Sequence, residues 1–128
     1  MQIPAITNVQ NNKQTFGVKP YYLNSTVKEI FAKKLSPEEI DKVVQLFTDT
    51  DLKTQNLTNF NFGIRRGNRL FSKAYAQKLS YNVGNSVECT QRLFESTFKF
   101  LKRACANAVK LNEKVDKQLA VNKALEKI

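Results

Sequence analysis

The chain has 128 residues, 41% of them hydrophobic, with four glycines, three prolines, two cysteines and no histidine. This suits one domain with a modest core, and so few turn-forming residues argue against a sandwich or barrel built from many tight turns. The net charge of +10 is lopsided: residues 1–64 hold seven Lys/Arg against six Asp/Glu, and residues 65–128 hold fourteen against five. Such asymmetry favours a polyanionic partner without naming one.

Residues 1–22 are rich in Asn and Gln and lack helical periodicity. They read as a flexible arm ending near Pro20, with Tyr21 and Tyr22 as an anchor on the core. The arm has no basic start followed by an apolar run, so no signal peptide is expected, and no uncharged apolar stretch approaches the ~20 residues of a membrane span. Two free thiols would suit a reducing compartment, so a cytoplasmic location is expected and the sequons at Asn24 and Asn56 carry no weight.

Residues 23–128 are expected to form a single helical domain. Thr26 and Glu29 stand at capping-box spacing, with Val27, Ile30 and Phe31 on one face, which predicts a short helix over 26–35. Ser36, Pro37 and Glu39 make a stronger start signal, followed by the stripe Ile40, Val43, Val44 and Phe47. That spacing predicts a helix over 37–48. Residues 49–67 read as irregular: Phe60, Phe62 and Ile64 alternate with polar residues, but one extended run without a partner makes no sheet. A further helix is predicted over 68–81, with Leu70, Phe71, Ala74 and Tyr75 inward and Asn82 and Gly84 closing it.

No Gly or Pro occurs after Gly84. Val87, Phe94, Leu101, Ala108 and Val115 recur every seven residues, with Phe98, Cys105 and Leu119 beside them, so a long amphipathic helix, or two in series, is predicted over 86–127. At about 1.5 Å per residue it would measure roughly 60 Å, longer than a compact domain of this size, so residues 112–128 are expected to project or to bend back near Asn107–Asn112. Cys89 and Cys105 on that helix would lie roughly 24 Å apart, too far for a disulfide. The expected fold is therefore all-α: four or five helices in a bundle, with a flexible N-terminal arm and a long basic C-terminal helix.

The chemistry-bearing patterns are few. Asp49 and Asp51 resemble the start of an EF-hand calcium loop, but Lys53, Thr54 and Phe60 stand where a third ligand, the turn glycine and a bidentate glutamate are needed, so calcium is rejected. Without histidine, CxxC, a P-loop or GxSxG, no catalytic residue, metal site or cofactor is assigned, and an enzyme is not expected.

Two basic features remain. Arg65, Arg66 and Arg69 would crowd the positive end of a helix starting near Asn68, where each costs roughly 0.3–1 kcal/mol. An anion would relieve that, with Gly63 and Gly67 allowing close approach. The competing reading pairs them with the acidic run 36–52, which carries a net −4. On the predicted last helix Arg92, Lys99, Arg103, Lys110, Lys114 and Lys117 align opposite the apolar stripe. They would form a ridge able to follow a phosphate backbone, or a solvated face laced by the pairs Glu88–Arg92, Glu95–Lys99 and Glu113–Lys117.

The resulting expectation is a non-enzymatic helical interaction or assembly module whose basic half meets an acidic protein partner, or which self-associates along the seam beyond Leu111. The alternative is sequence-independent nucleic-acid binding through the nine cations named. An anionic membrane surface fits less well, because the face opposite the cations is needed for the core.

Overall fold

A computed structural model of the chain describes residues 21–78 and 83–128. The fold is α+β rather than an all-α bundle. Strand β1 (Tyr21–Tyr22) is followed by α1 (Ser25–Lys34), α2 (Pro37–Lys53), β2 (Leu57–Arg65), β3 (Arg69–Lys78), β4 (Val83–Thr90) and α3 (Thr97–Leu125). Strands β2, β3 and β4 form an antiparallel meander, and β1 extends it by two residues in parallel with Phe60 and Asn61. Tyr21 and Tyr22 thus tie the chain to the sheet edge through backbone pairing; residues 1–20 of the predicted arm lie outside the described residues.

The first two helices follow their local chemistry. Helix α1 is capped by Asn24, whose Oδ1 accepts from the Val27 amide at 2.9 Å, and not by Thr26. Helix α2 opens on the Ser36/Glu39 capping box, its two reciprocal bonds 3.2 and 3.0 Å long, with Pro37 in the first turn. It continues five residues past the predicted end, to Lys53, so Asp49 and Asp51 belong to a helix and not to a calcium loop.

Where a helix is predicted over 68–81, residues Arg69–Lys78 form strand β3, and residues 79–82 lie outside the described residues. The strand pairs with β2 from Arg65↔Arg69 to Leu57↔Ala76, with one shift of register between Leu57 and Asn59. Its inward residues are Leu70, Ser72, Ala74 and Ala76, all buried. Three of the four are small, so the alternation expected of a half-buried strand is muted, while Leu70–Ala74 and Phe71–Tyr75 mimic i,i+4 pairs. The turn joining the strands is a 3₁₀ element, Arg66–Asn68, in which Gly67 (φ 75°) and Asn68 (φ 59°) adopt the left-handed conformation. Gly and Asn reach that region at least cost, and tight hairpins require it.

The long predicted helix is likewise two elements. Val87 and Cys89 belong to β4, and α3 begins only at Thr97, where the Ser96 hydroxyl accepts from the Lys99 amide. Residues 91–96 form the loop between them. Cys89 and Cys105 thus lie on different elements; both are buried free thiols.

The core lies between the inner sheet face and the three helices. Phe62 of β2 is its hub, stacked on Phe47 of α2 at 5.6 Å and meeting Phe31 of α1 and Phe100 of α3 edge-on, each at 6.3 Å. Each such pair adds about 0.5–1.5 kcal/mol beyond its area burial. Deeper along α3, Asn112 is buried and works as a polar clamp. Its Oδ1 accepts from the Asn56 backbone amide at 2.8 Å, and its Nδ2 donates to the Lys53 carbonyl and to Asp116. Asp116 in turn accepts from the Asn56 side chain. The residue expected to mark a bend therefore locks a continuous helix onto the α2–β2 corner.

Past that clamp α3 leaves the core. Val115 is buried and Leu119 packs against the core's edge, whereas Val121, Leu125 and Ile128 are exposed.

Candidate basic and apolar cleft

The nine cations singled out from the sequence do not form one surface. Arg65 sits at the end of β2 and spans the outer sheet face, its guanidinium 4.4 Å above the Phe71 ring and 2.8 Å from Glu88 of β4. Phe71 lies flat over Gly63: a Cβ there would stand 2.5 Å from the ring. Arg69 opens β3 and donates through Nε and Nη2 to the Gln91 carbonyl. No helix starts at Asn68, so the unfavourable dipole argument for these arginines falls away. Their partners come from β4 and the loop after it, not from the acidic helix. Only Arg66, at the tip of the turn, lacks an ion pair or hydrogen bond among the described residues.

The ridge is also broken. Arg92 lies in the loop, outside α3. Arg103 faces inward and holds Glu95 with two bonds, Nε to Oε2 at 2.9 Å and Nη2 to Oε1 at 2.7 Å. It further donates to the Thr90 carbonyl and to Cys89 Sγ. That bonding, with the backbone amide of Arg92, holds the Glu95 carboxyl at about 2, against the opposing effect of its burial. Glu88 pairs with Arg65 and Glu95 with Arg103, so neither makes the expected i,i+4 helical pair. Lys99, Lys110, Lys114 and Lys117 alone remain as exposed cations of that set on α3.

The arrangement that does gather cations is a cleft of about 440 Å³ between the end of α1, the β2–β3 turn and the β4–α3 loop. Lys34, Arg69 and Arg92 line it, with Leu93 and Phe94. The loop is braced from several sides. The Gln91 amide donates to the Leu70 carbonyl, the Leu70 amide donates to Gln91 Oε1, and Gln91 Nε2 donates to the Glu95 carbonyl. The Glu95 amide returns to the Arg92 carbonyl, and the Arg92 amide to Glu95 Oε1. Held this way, the loop presents Leu93 and Phe94 to solvent at 76% and 96% exposure, Phe94 at φ 65°. Leaving a side chain of this size in water forgoes roughly 1.5–3 kcal/mol of burial, and left-handed backbone at a bulky residue is uncommon.

Of this site the sequence singles out Arg69 and Arg92, but not the cleft that joins them. Sequence reasoning placed Phe94 on a buried stripe and did not weigh Lys34 or Leu93. The one usable signal was Ser96, a favoured N-cap residue directly before Thr97 and Phe98. Among the described residues no three His, Cys, Asp or Glu side chains gather as metal ligands, and no helix is long and apolar enough to cross a membrane. No family model, curated protein or solved structure matches the chain.

Proposed function

We propose that the protein is a non-enzymatic interaction module whose basic half meets an acidic protein partner at the cleft between α1, the β2–β3 turn and the β4–α3 loop. The observation that carries this reading is the pair Leu93–Phe94, held outward by a fully braced loop beside Lys34, Arg69 and Arg92. A mixed apolar and cationic rim suits an acidic segment that also carries apolar side chains: the apolar pair supplies area to bury, and the cations supply steering and register. A phosphate backbone would use the cations and leave Phe94 in water, unless a base stacked on it. The pairing of Arg65 with Glu88 and of the half-buried Arg103 with Glu95 further reduces what a nucleic acid would find.

The test is titration of the labelled protein with three probes: an amphipathic peptide of alternating Glu and Leu, a single-stranded 20-mer oligonucleotide and anionic vesicles. The peptide should perturb the amide resonances of residues 67–69 and 91–97, and Leu93→Ser with Phe94→Ser should weaken it at least tenfold. Tighter binding of the oligonucleotide, insensitive to those two substitutions and collapsing with salt, would replace this reading by nucleic-acid binding.

A further inference from the structure

A second surface lies on the far side of α1. Between α1 and α2 runs a groove of about 240 Å³ whose lining is almost wholly aliphatic and aromatic: Leu23, Phe31 and Leu35 on one side, Ile40, Val43, Val44 and Phe47 on the other. Phe31, Val43 and Phe47 form its floor as part of the core, while Ile40 and Val44 stay 38% and 60% exposed. Lys28 stands at its edge, and of the exposed carboxylates of α2 Asp41 lies nearest, one turn before Val44 on the flank of the groove, while Glu38 and Asp49 face the other side of the helix. This is an apolar groove with one carboxylate, Asp41, on its flank.

The complementary surface is on the same chain. Beyond Leu119, α3 runs past the core as an unbroken helix to Leu125. At about 100° per residue, Lys114, Lys117, Val121 and Leu125 fall within about 80° of one another, on a flank distinct from the core-facing Val115. That flank is cationic toward the core and apolar toward the end, with Val121 and Leu125 spaced i,i+4 and both more than half exposed. An amphipathic helix with such anchors is the partner that a groove between two helices accepts. The tail cannot enter the groove of its own chain: α3 is one continuous helix, and no Gly or Pro after Gly84 offers a place to reverse.

We infer that the occupant is a second copy of this chain: the α3 tail of one protomer lies in the α1–α2 groove of the other, Val121 and Leu125 over Ile40 and Val44, Lys117 toward Asp41. Because each chain owns both a tail and a groove, a twofold pair exchanges two tails and doubles the contact. Two-turn contacts are small singly, and the doubling brings them toward the ~1,200–2,000 Å² of stable interfaces. This surface lies apart from the Leu93–Phe94 cleft, so the two proposals stand or fall separately.

The deciding experiment is sedimentation equilibrium of the full chain from micromolar to near-millimolar concentration. A monomer–dimer equilibrium is expected, with Val44→Asp and Leu125→Asp each shifting it at least tenfold toward monomer. Both side chains are exposed, and circular dichroism checks that each variant remains folded. Mixing the two variants distinguishes this arrangement from a tail-to-tail helix pair. The Val44→Asp chain keeps a working tail and the Leu125→Asp chain a working groove, so the mixture, with one intact contact, should associate more tightly than either variant alone and less tightly than wild type. Lys117→Glu should weaken the dimer, and Asp41→Lys in the same chain should restore it. A monomeric mass throughout, a dimer untouched by either apolar substitution, or a mixture that associates no more tightly than either variant alone would each overturn the inference.

Discussion

The guanidinium of Arg103 on α3 grips the carboxylate of Glu95 in the preceding loop, with its closest N–O contact at 2.7 Å. With the same head group it reaches the Thr90 carbonyl, so the end of β4, the loop and the helix are joined through one side chain. The pair is mostly shielded from solvent, which makes it worth more than an exposed ion pair and costly to break on one side only.

Its contribution should follow pH in a definite direction. The Glu95 carboxyl titrates at about 2 in the folded chain against an ordinary 4.5. A group whose folded value is depressed stabilises the fold above its unfolded value, and that stability is lost as pH falls from about 4.5 through about 2. Urea unfolding should show Glu95→Gln less stable than wild type by on the order of 2 kcal/mol at neutral pH. The difference should shrink as the solution is taken down to pH 2.

Removing the Asn112 clamp leaves the buried Asn56 amide and the part-buried Lys53 carbonyl without this partner. Asn112→Ala should cost roughly 1–3 kcal/mol, chiefly for the orphaned Asn56 amide, since an unsatisfied buried group costs about that much. Hydrogen exchange should localise the loosening to the α2–β2 corner. A uniform loss of protection would show that the amide acts on the whole core instead.

Truncating the Phe62 hub should be more severe. Phe62→Ala removes ring contacts to α1, α2 and α3 together and is expected to cost about 3–5 kcal/mol in urea unfolding. Phe62→Leu should recover much of it.

At Gly63 an added methyl would meet the Phe71 ring at 2.5 Å. Gly63→Ala should therefore displace that ring and with it the Arg65 guanidinium stacked above, at a cost of about 1–3 kcal/mol. The Phe71 ring resonances should shift more than those of Phe62, which sits on the opposite sheet face.

The cysteines offer a check on burial. Desolvation raises both thiols, Cys105 to about 11. At pH 8 both should react with a maleimide only slowly in the native chain and rapidly in urea, because the thiolate is the nucleophile. Fast native labelling of Cys105, whose thiol meets Thr50 of α2, would show the α2–α3 packing to be open.

What could be read directly from the residues was governed by local chemistry. Ser36, Pro37 and Glu39 announced α2 because caps and first-turn residues act within one turn of chain. Phe60, Phe62 and Ile64 showed a true strand period, but its partner was hidden: β3 lies beneath α3 and fills that space with Ser72, Ala74 and Ala76, so the apolar signal on that strand is weak. The sevenfold spacing of Val87 and Phe94 with Leu101 was coincidental, for β4 and a loop intervene before the helix begins. Of the candidate site residues, Arg69 and Arg92 do meet in the cleft, together with Lys34. Arg65 and Arg103 do not, because their carboxylate partners are contributed by segments distant in sequence or turned inward, which no helical projection reveals.

Helix α3 starts beside the Leu93–Phe94 loop and ends in the exposed tail, a span of 29 residues and about 43 Å. One rigid rod therefore fixes the separation between the proposed partner cleft and the proposed self-contact. Two chains that each seat a tail in the other's groove would carry two clefts whose separation is set by that same rod. A partner bearing repeated acidic segments would then be gripped twice, and its avidity would be set by the spacing of those repeats rather than by the strength of either grip.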